Sequence, residues 1–162
     1  MDARRIRAAE VDLNDTLQRQ LLRYSILCND STNEDGIEIG DPTETALINI
    51  GSALGIEAAK ERAQYPRLSE IPFDSDRKLM STLNVIVNDS TINNVNDMSD
   101  LNNSNLIMIT KGATDIILSR LANIEDKGIV RQINAEDKRE IEKKNIEFSQ
   151  KGMRVLAVAY KN

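Results

Sequence analysis

Apolar residues between Asp12 and Cys28 fall at Leu13, Leu17, Leu21, Tyr24 and Cys28, the spacing of a helix that buries one stripe. The polar cluster "NDSTNEDG" (Asn29 to Gly36) then predicts a turn, followed by a brief extended stretch over Ile37 to Ile39. A second helix is announced by its start signals: Asp41 as N-cap, Pro42 at the first helical position and Glu44 at the third. Ala46, Leu47, Ile50, Ala53 and Leu54 form its expected apolar face, and Gly55 suits its left-handed C-terminal cap.

Further along, Leu79, Leu83, Val85 and Val87 alternate with Lys78, Met80, Thr82 and Asn84, which predicts a half-buried strand. Pro72 keeps the approach to it extended and at a sheet edge. The stretch from Asn88 to Asn105 is rich in Asn, Asp and Ser without a sustained period, so it reads as a long, flexible hairpin loop. "LIMIT" is the returning strand and ends at Lys111-Gly112, after which Ile117, Leu121 and Ile124 mark a helix. Asn134, with Asp137 three residues on, opens another helix that carries Ile141 and Phe148 and closes near Gly152. "MRVLAVAY" is the last strand. A hairpin with separately placed helices predicts an α+β domain on an antiparallel sheet.

At 162 residues the chain is sized for one domain, residues 1–162. Hydrophobic content of 40% and charged content of 29% are those of a soluble globular protein, and the apolar runs are too short to cross a bilayer. With no histidine and a single cysteine, Cys28, most catalytic triads, zinc sites and any internal disulfide are excluded. A net charge of −5 and 3% aromatic residues speak against a nucleic-acid binder, although a small anion needs only a few placed cations. Neither G-x-x-x-x-G-K-[ST] nor a strand-borne G-x-G-x-x-G is present, so the P-loop and dinucleotide folds are set aside.

Four ordered blocks remain: "GDPTETAL", "FDSDRKLMS", "TKGATDIIL" and "KGMRVLAVAY", with "LLRYSILCND" ahead of the first. Together they resemble the nucleotide-binding domain of P-type cation-transporting ATPases, most closely the calcium-pump branch. The resemblance covers nearly the whole chain. It implies an antiparallel sheet flanked by helices that binds ATP and presents the γ-phosphate to an aspartate on a separate phosphorylation domain. That aspartate belongs to a D-K-T-G-T block which this sequence lacks. The chain is therefore expected to bind ATP without hydrolysing it and to supply no catalytic residue and no metal ligand. Magnesium would arrive with ATP and be held mainly by the phosphorylation domain. The implied partners are the phosphorylation and actuator domains of the same pump, at the cytoplasmic face of a membrane.

Residue by residue, the resemblance makes Phe73 the adenine-stacking aromatic, a contact worth roughly 1–3 kcal/mol. It sets Lys111 along the nucleotide pocket and Gly112 where the backbone approaches the base, Lys78 near the ribose and phosphates, and Arg154 on the phosphate chain. Glu44 stands where an acid meets the adenine edge. Two departures stand out. Ser75 replaces an arginine common in calcium pumps, which removes one phosphate contact, and Thr114 replaces the proline after "KGA", where it is expected to act as an N-cap.

The residues by themselves leave other readings open. Phe73 fits a core position as well as a stacking one, and Glu44 fits the third position of a capping box as well as an adenine contact. Lys78 and Arg154 read equally as solvated strand charges, and Gly112 and Gly152 as turn or cap glycines. Asp74 and Asp76 are too few for a magnesium cage and read as surface charges. A non-catalytic protein-interaction module of the same fold, using "FDSDRK" and the Asn-rich loop, is the alternative function.

Overall fold

A computed structural model describes residues 10–34, 36–86, 105–126 and 128–162. Val87 and the expected Asn-rich loop lie outside the described residues, apart from Asn105 at the start of a strand.

Helix α1 spans Thr16–Leu27, and its N-cap Asp15 accepts from the backbone N–H groups of Leu17 and Gln18. The predicted single stripe is only half right. Tyr24 and Cys28 are buried, but Leu21 is 54% exposed, and Leu22, Ser25, Ile26 and Leu27 are buried as well. The last two turns are covered on more than one side because α1 lies between the sheet and two other helices, α2 (Pro42–Ala53) and α3 (Ala58–Gln64).

In α2 the predicted cap is present: Asp41 accepts from the Thr43 N–H, and Pro42 holds the first position. Its buried ridge, however, is Thr45, Ile48 and Gly51, rotated from the expected Ala46–Leu47–Ile50 face. The cause is packing against α1: a Cβ on Gly51 would meet Ile26 Cδ1 at 2.8 Å, so the glycine side is the one that can approach. Helix α3 has no apolar stripe to betray it. Arg23 and Glu61 hold it to α1 through a 2.6 Å ion pair.

The main sheet is antiparallel, in the order β3 (Arg67–Asp74), β4 (Leu79–Ile86), β5 (Asn105–Gly112), β8 (Ala157–Lys161). Pro72 does lie on an edge strand, but β3 is a full strand paired with β4, not merely an approach to it. Strand β4 is buried on both faces rather than half-buried, with Met80, Thr82 and Asn84 each 1% exposed. A central strand under a helix accepts these partly polar positions on its covered face, and Asn84 Nδ2 donates to the Tyr65 carbonyl at 2.9 Å. The core joins Tyr24, Leu27 and Cys28 of α1 and its cap to Met80, Ile107 and Ile109 of the sheet.

Among the described residues, two small hairpins complete the β structure: β1 (Thr32–Glu34) with β2 (Ile37–Ile39), and β6 (Asn123–Asp126) with β7 (Ile129–Gln132). The second corrects the expected helix through Ile124. Helix α4 (Thr114–Arg120) ends before it, and Ile124 is buried as a strand residue, its partner in register being Arg131. Helix α5 (Ala135–Gln150) begins as predicted, with a reciprocal capping box between Asn134 and Asp137. Strand β8 is shorter than "MRVLAVAY" because its partner β5 ends at Gly112, opposite Ala157, and Arg154 therefore lies off the strand. Among the described residues no helix is long and apolar enough to cross a membrane.

Candidate functional site

The corner between β3 and β4 is built by one carboxylate. Asp74 Oδ1 accepts from the N–H groups of Asp76 (3.0 Å) and Arg77 (2.8 Å), while the Lys78 N–H donates to the Asp74 carbonyl. Asp74 is thus a turn-former rather than a free surface charge, a role signalled by an Asp two residues ahead of the bend. The corner also puts Lys78 at φ 57°, a left-handed conformation tolerated here because its carbonyl is held by the Ala113 N–H at 3.1 Å. Among the described residues no group of three acidic or other metal-binding side chains could hold a metal ion.

Phe73 precedes this corner, and it is 62% exposed, which removes the core reading. Its placement depends on a bulge. Ile71 pairs with Ser81 and Asp74 with Leu79, so Pro72 and Phe73 together stand opposite the single residue Met80. Met80 in turn pairs with Lys111 on β5. Phe73 therefore joins the Met80–Lys111 row, about 10 Å from Lys111 across two strand spacings.

Lys111 is 5% exposed and its Nζ donates to Glu44 Oε1 at 2.7 Å. The other Glu44 oxygen, Oε2, accepts from the Asp30 N–H at 3.0 Å. With these contacts the Glu44 carboxylate serves the end of β5 and the turn after α1, not a capping box of its own helix. Gly112 follows Lys111, and a Cβ there would meet the Lys78 carbonyl oxygen at 2.2 Å. The glycine is required by the close passage of the β4 corner whatever else approaches it.

Arg154 is exposed and donates from Nη1 to Thr43 Oγ1, beside Glu44 in the first turn of α2. Hydrogen bonds from the Thr43 side chain and backbone, with a smaller contribution from the Arg154 charge, hold the Asp41 carboxyl below its ordinary range. Lys78 is exposed at the corner, and Ser75 sits in the same exposed turn. The structure thus gathers Glu44, Lys111 and Arg154 around the start of α2, and sets Phe73 and Lys78 at the corner that backs onto Gly112.

One expectation needs amendment. The N-cap of α4 is Ala113, and Thr114 is the first helical residue with its hydroxyl buried and unpartnered, so it caps nothing. The partners of Glu44 in the turn after α1, Asn29 and Asp30, were also missed; their signal is a fully buried asparagine, visible only in three dimensions. Cys28 lies beneath this cluster, its thiol pushed up by burial and only partly drawn back by Lys111. A hollow of about 220 Å³ lies against the Glu44 partners Asn29 and Asp30, lined also by Arg62 and Arg67, and another of about 690 Å³ lies under β8; Phe73 and Lys78 line neither and stand exposed at the corner as an open shelf.

The family model for the P-type ATPase cytoplasmic domain N matches residues 17–162. Calcium-transporting ATPase 1 of Lactococcus lactis is 38% identical over 151 residues, covering 93% of this chain and 15% of the relative. A calcium-transporting ATPase of Listeria monocytogenes is 37% identical over 145 residues, covering 89% and 15%. Calcium-transporting ATPase 1 of Schizosaccharomyces pombe is 33% identical over 121 residues, covering 74% and 12%. The chain spans about 15% of the length of the first two relatives. With a family match over most of its length and a mixed helix and antiparallel-sheet fold to agree with it, this chain belongs to the P-type cation ATPases, as their cytoplasmic domain N.

Proposed function

We propose that this domain holds ATP for a calcium-transporting pump, and that the shelf at the β3–β4 corner is where the nucleotide lies. The observation that carries the reading is the exposure of Phe73 on the Met80–Lys111 row: an aromatic ring left open to solvent, with Lys78 exposed at the same corner. Adenine stacks on the Phe73 ring for roughly 1–3 kcal/mol. Lys78 and Arg154, both exposed, meet the phosphates, with the Arg154 guanidinium supplying a rigid fork of donors. Glu44 retains acceptor capacity beyond its bonds to Lys111 and Asp30 for an exocyclic amine at the adenine edge. Gly112 lets the corner that carries Lys78 and Phe73 close against the end of β5, beside Lys111.

The residues present do not form a magnesium site, since Asp74 is occupied by its turn and Asp76 alone is too few. The domain's contribution is position: it presents the γ-phosphate to an aspartate of the phosphorylation domain, so that attack becomes effectively intramolecular. Alone it binds without hydrolysing. In the intact pump the actuator domain would be the other neighbour, and the setting the cytoplasmic face of a membrane.

One stack and one or two charge-assisted contacts, less the cost of immobilisation, leave about −4 kcal/mol, a dissociation constant around millimolar. Titration of the labelled chain with ATP, followed by amide NMR shifts, tests this. Phe73, Lys111 and Gly112 are expected to move together. Submicromolar affinity, or shifts confined to another face, overturns the assignment.

The alternative of a protein-docking module draws on Ile71, 55% exposed and two residues from Phe73 on the same edge strand. It predicts no ATP-dependent shifts at all.

A further inference from the structure

Arg62 of α3 and Arg67 of β3 converge on one stretch of backbone at the end of α1. Arg62 Nη2 donates to the carbonyls of Asn29 (2.8 Å) and Ser31 (3.0 Å). Arg67 Nη2 donates to those of Leu27 (2.8 Å) and Asn29 (2.8 Å). These oxygens lie at and just beyond the helix end, where carbonyls have no partner within the helix. Through Nη1, Arg67 also pairs with Asp30 at 2.6 Å and with Glu70. Burial works against the Arg67 charge, yet these two carboxylates outweigh it and raise its pKa above the ordinary value.

The clamped turn has an opposite side. Asn29, fully buried, donates from Nδ2 to the Glu44 carbonyl at 3.0 Å, and the Asp30 N–H donates to Glu44 Oε2 at 3.0 Å. Glu44 Oε1 then receives the Lys111 ammonium. Arg67 is therefore joined to Lys111 through Asp30 and then Glu44, and its own hydrogen bonds reach Asp30 but neither Glu44 nor Lys111. A guanidinium suits such a position because its planar fork serves a carboxylate and carbonyls in fixed directions, which an ammonium cannot copy.

We propose that Arg67, with Arg62 beside it, is a positioning residue for the nucleotide site: by fixing the turn after α1 it holds the Glu44 carboxylate against the Lys111 ammonium. This role rests on the nucleotide reading of the preceding subsection. Simple capping of α1 would stabilise the helix and leave Glu44 and Lys111 indifferent to the arginine.

The experiment uses the full 162-residue chain as wild type, Arg67→Lys, Glu44→Gln and the double variant. The first readout is the Lys111 side-chain ammonium signal in proton–nitrogen NMR, assigned by its loss in Lys111→Arg. A buried, hydrogen-bonded ammonium exchanges slowly enough to be seen. It is expected in the wild type, and lost or strongly broadened in both Glu44→Gln and Arg67→Lys. The second readout is ATP affinity by titration. Arg67→Lys is expected to weaken it about 3–10-fold, and to add less than about twofold in the Glu44→Gln background, because both changes break the same connection. Arg67→Lys retains the charge and is chosen to keep the chain folded; a thermal melt checks that it does. A lowered melting temperature with the Lys111 signal and ATP affinity unchanged overturns the role and leaves a helix cap. Additive effects in the double variant overturn it too. A wild-type chain with no response to ATP sinks the nucleotide reading and this role with it, whereas ATP binding indifferent to Arg67 sinks this role alone.

Discussion

The Lys111 ammonium and the Glu44 carboxylate, 67 residues apart in sequence, meet at 2.7 Å with the lysine almost wholly buried. The contact ties the end of β5 to the first turn of α2. The two partners are unequally covered: the Lys111 side chain is 5% exposed and that of Glu44 17%. Removing the acid leaves a cation in the interior, whereas removing the lysine leaves an acid that still accepts from the Asp30 N–H and reaches water. Glu44→Gln is therefore expected to destabilise the chain by about 3 kcal/mol and Lys111→Met by less, with the double change recovering part of the loss. Urea unfolding of the three variants measures this. A larger loss for Lys111→Met than for Glu44→Gln would contradict it.

Phe73→Ala separates binding from folding. A ring this exposed contributes little to the core, so the melting transition is expected to shift by less than about 0.5 kcal/mol in stability. ATP affinity, by contrast, is expected to drop by the worth of one stack, about 1–3 kcal/mol. Retained ATP binding in a folded variant removes Phe73 from the site.

Gly112→Ala puts a methyl group where the Lys78 carbonyl oxygen lies 2.2 Å away, with Leu79 Cα at 3.0 Å. Backbone cannot swing aside as a long side chain can. The expected cost is about 2–4 kcal/mol, seen as a lower denaturant midpoint, together with weakened protection of the Ala113 amide that bonds Lys78. An unperturbed midpoint would show that the corner has slack.

The acid limb of stability has two named sources in α5. Asp137 is held well below the usual carboxylate range, first by the Arg131 guanidinium and then by the Asn134 N–H. Glu147, between Lys151 and Lys144, is drawn down to about 2. Both carboxyls bind protons less readily folded than unfolded, so their contribution is complete above the unfolded values near 4 and is lost as pH falls toward 2. Melts recorded from pH 7 down to pH 2 should show the loss concentrated below about pH 4.5. Asp137→Asn should be less stable at pH 7 and fall less steeply over the acid range. An acid slope identical to that of the wild type would remove Asp137 as a source.

Helix boundaries set by local chemistry were legible: Asp41-Pro42, Asn134 with Asp137, and the glycines Gly55 and Gly152, which adopt positive φ just past their helices. Helix faces were not. In α2 nearly every side carries apolar residues, and only the approach of Ile26 to Gly51 decides which is buried. Helix α3 and the β6–β7 hairpin escaped because neither has a long enough period to register against its polar flanks. At the candidate site, the motifs found the residues but not their partners. Glu44 fits a capping box by spacing, and only the fold shows its oxygens turned to Lys111 and Asp30. Arg62 and Arg67 carry no motif, since the carbonyls they hold come from a helix end more than thirty residues earlier.

The bulge before Asp74 makes chain length a constraint in its own right. Side chains on a strand alternate, so deleting one residue between Ile71 and Asp74 would restore even counting against β4 and leave only one position to oppose Met80. Substitutions along this edge can be absorbed one at a time, but a single-codon deletion would remove one of the two side chains offered to the Lys111 row while leaving every other strand intact. A solvent-facing margin of the sheet, ordinarily the most forgiving place for insertions and deletions, is here among the least.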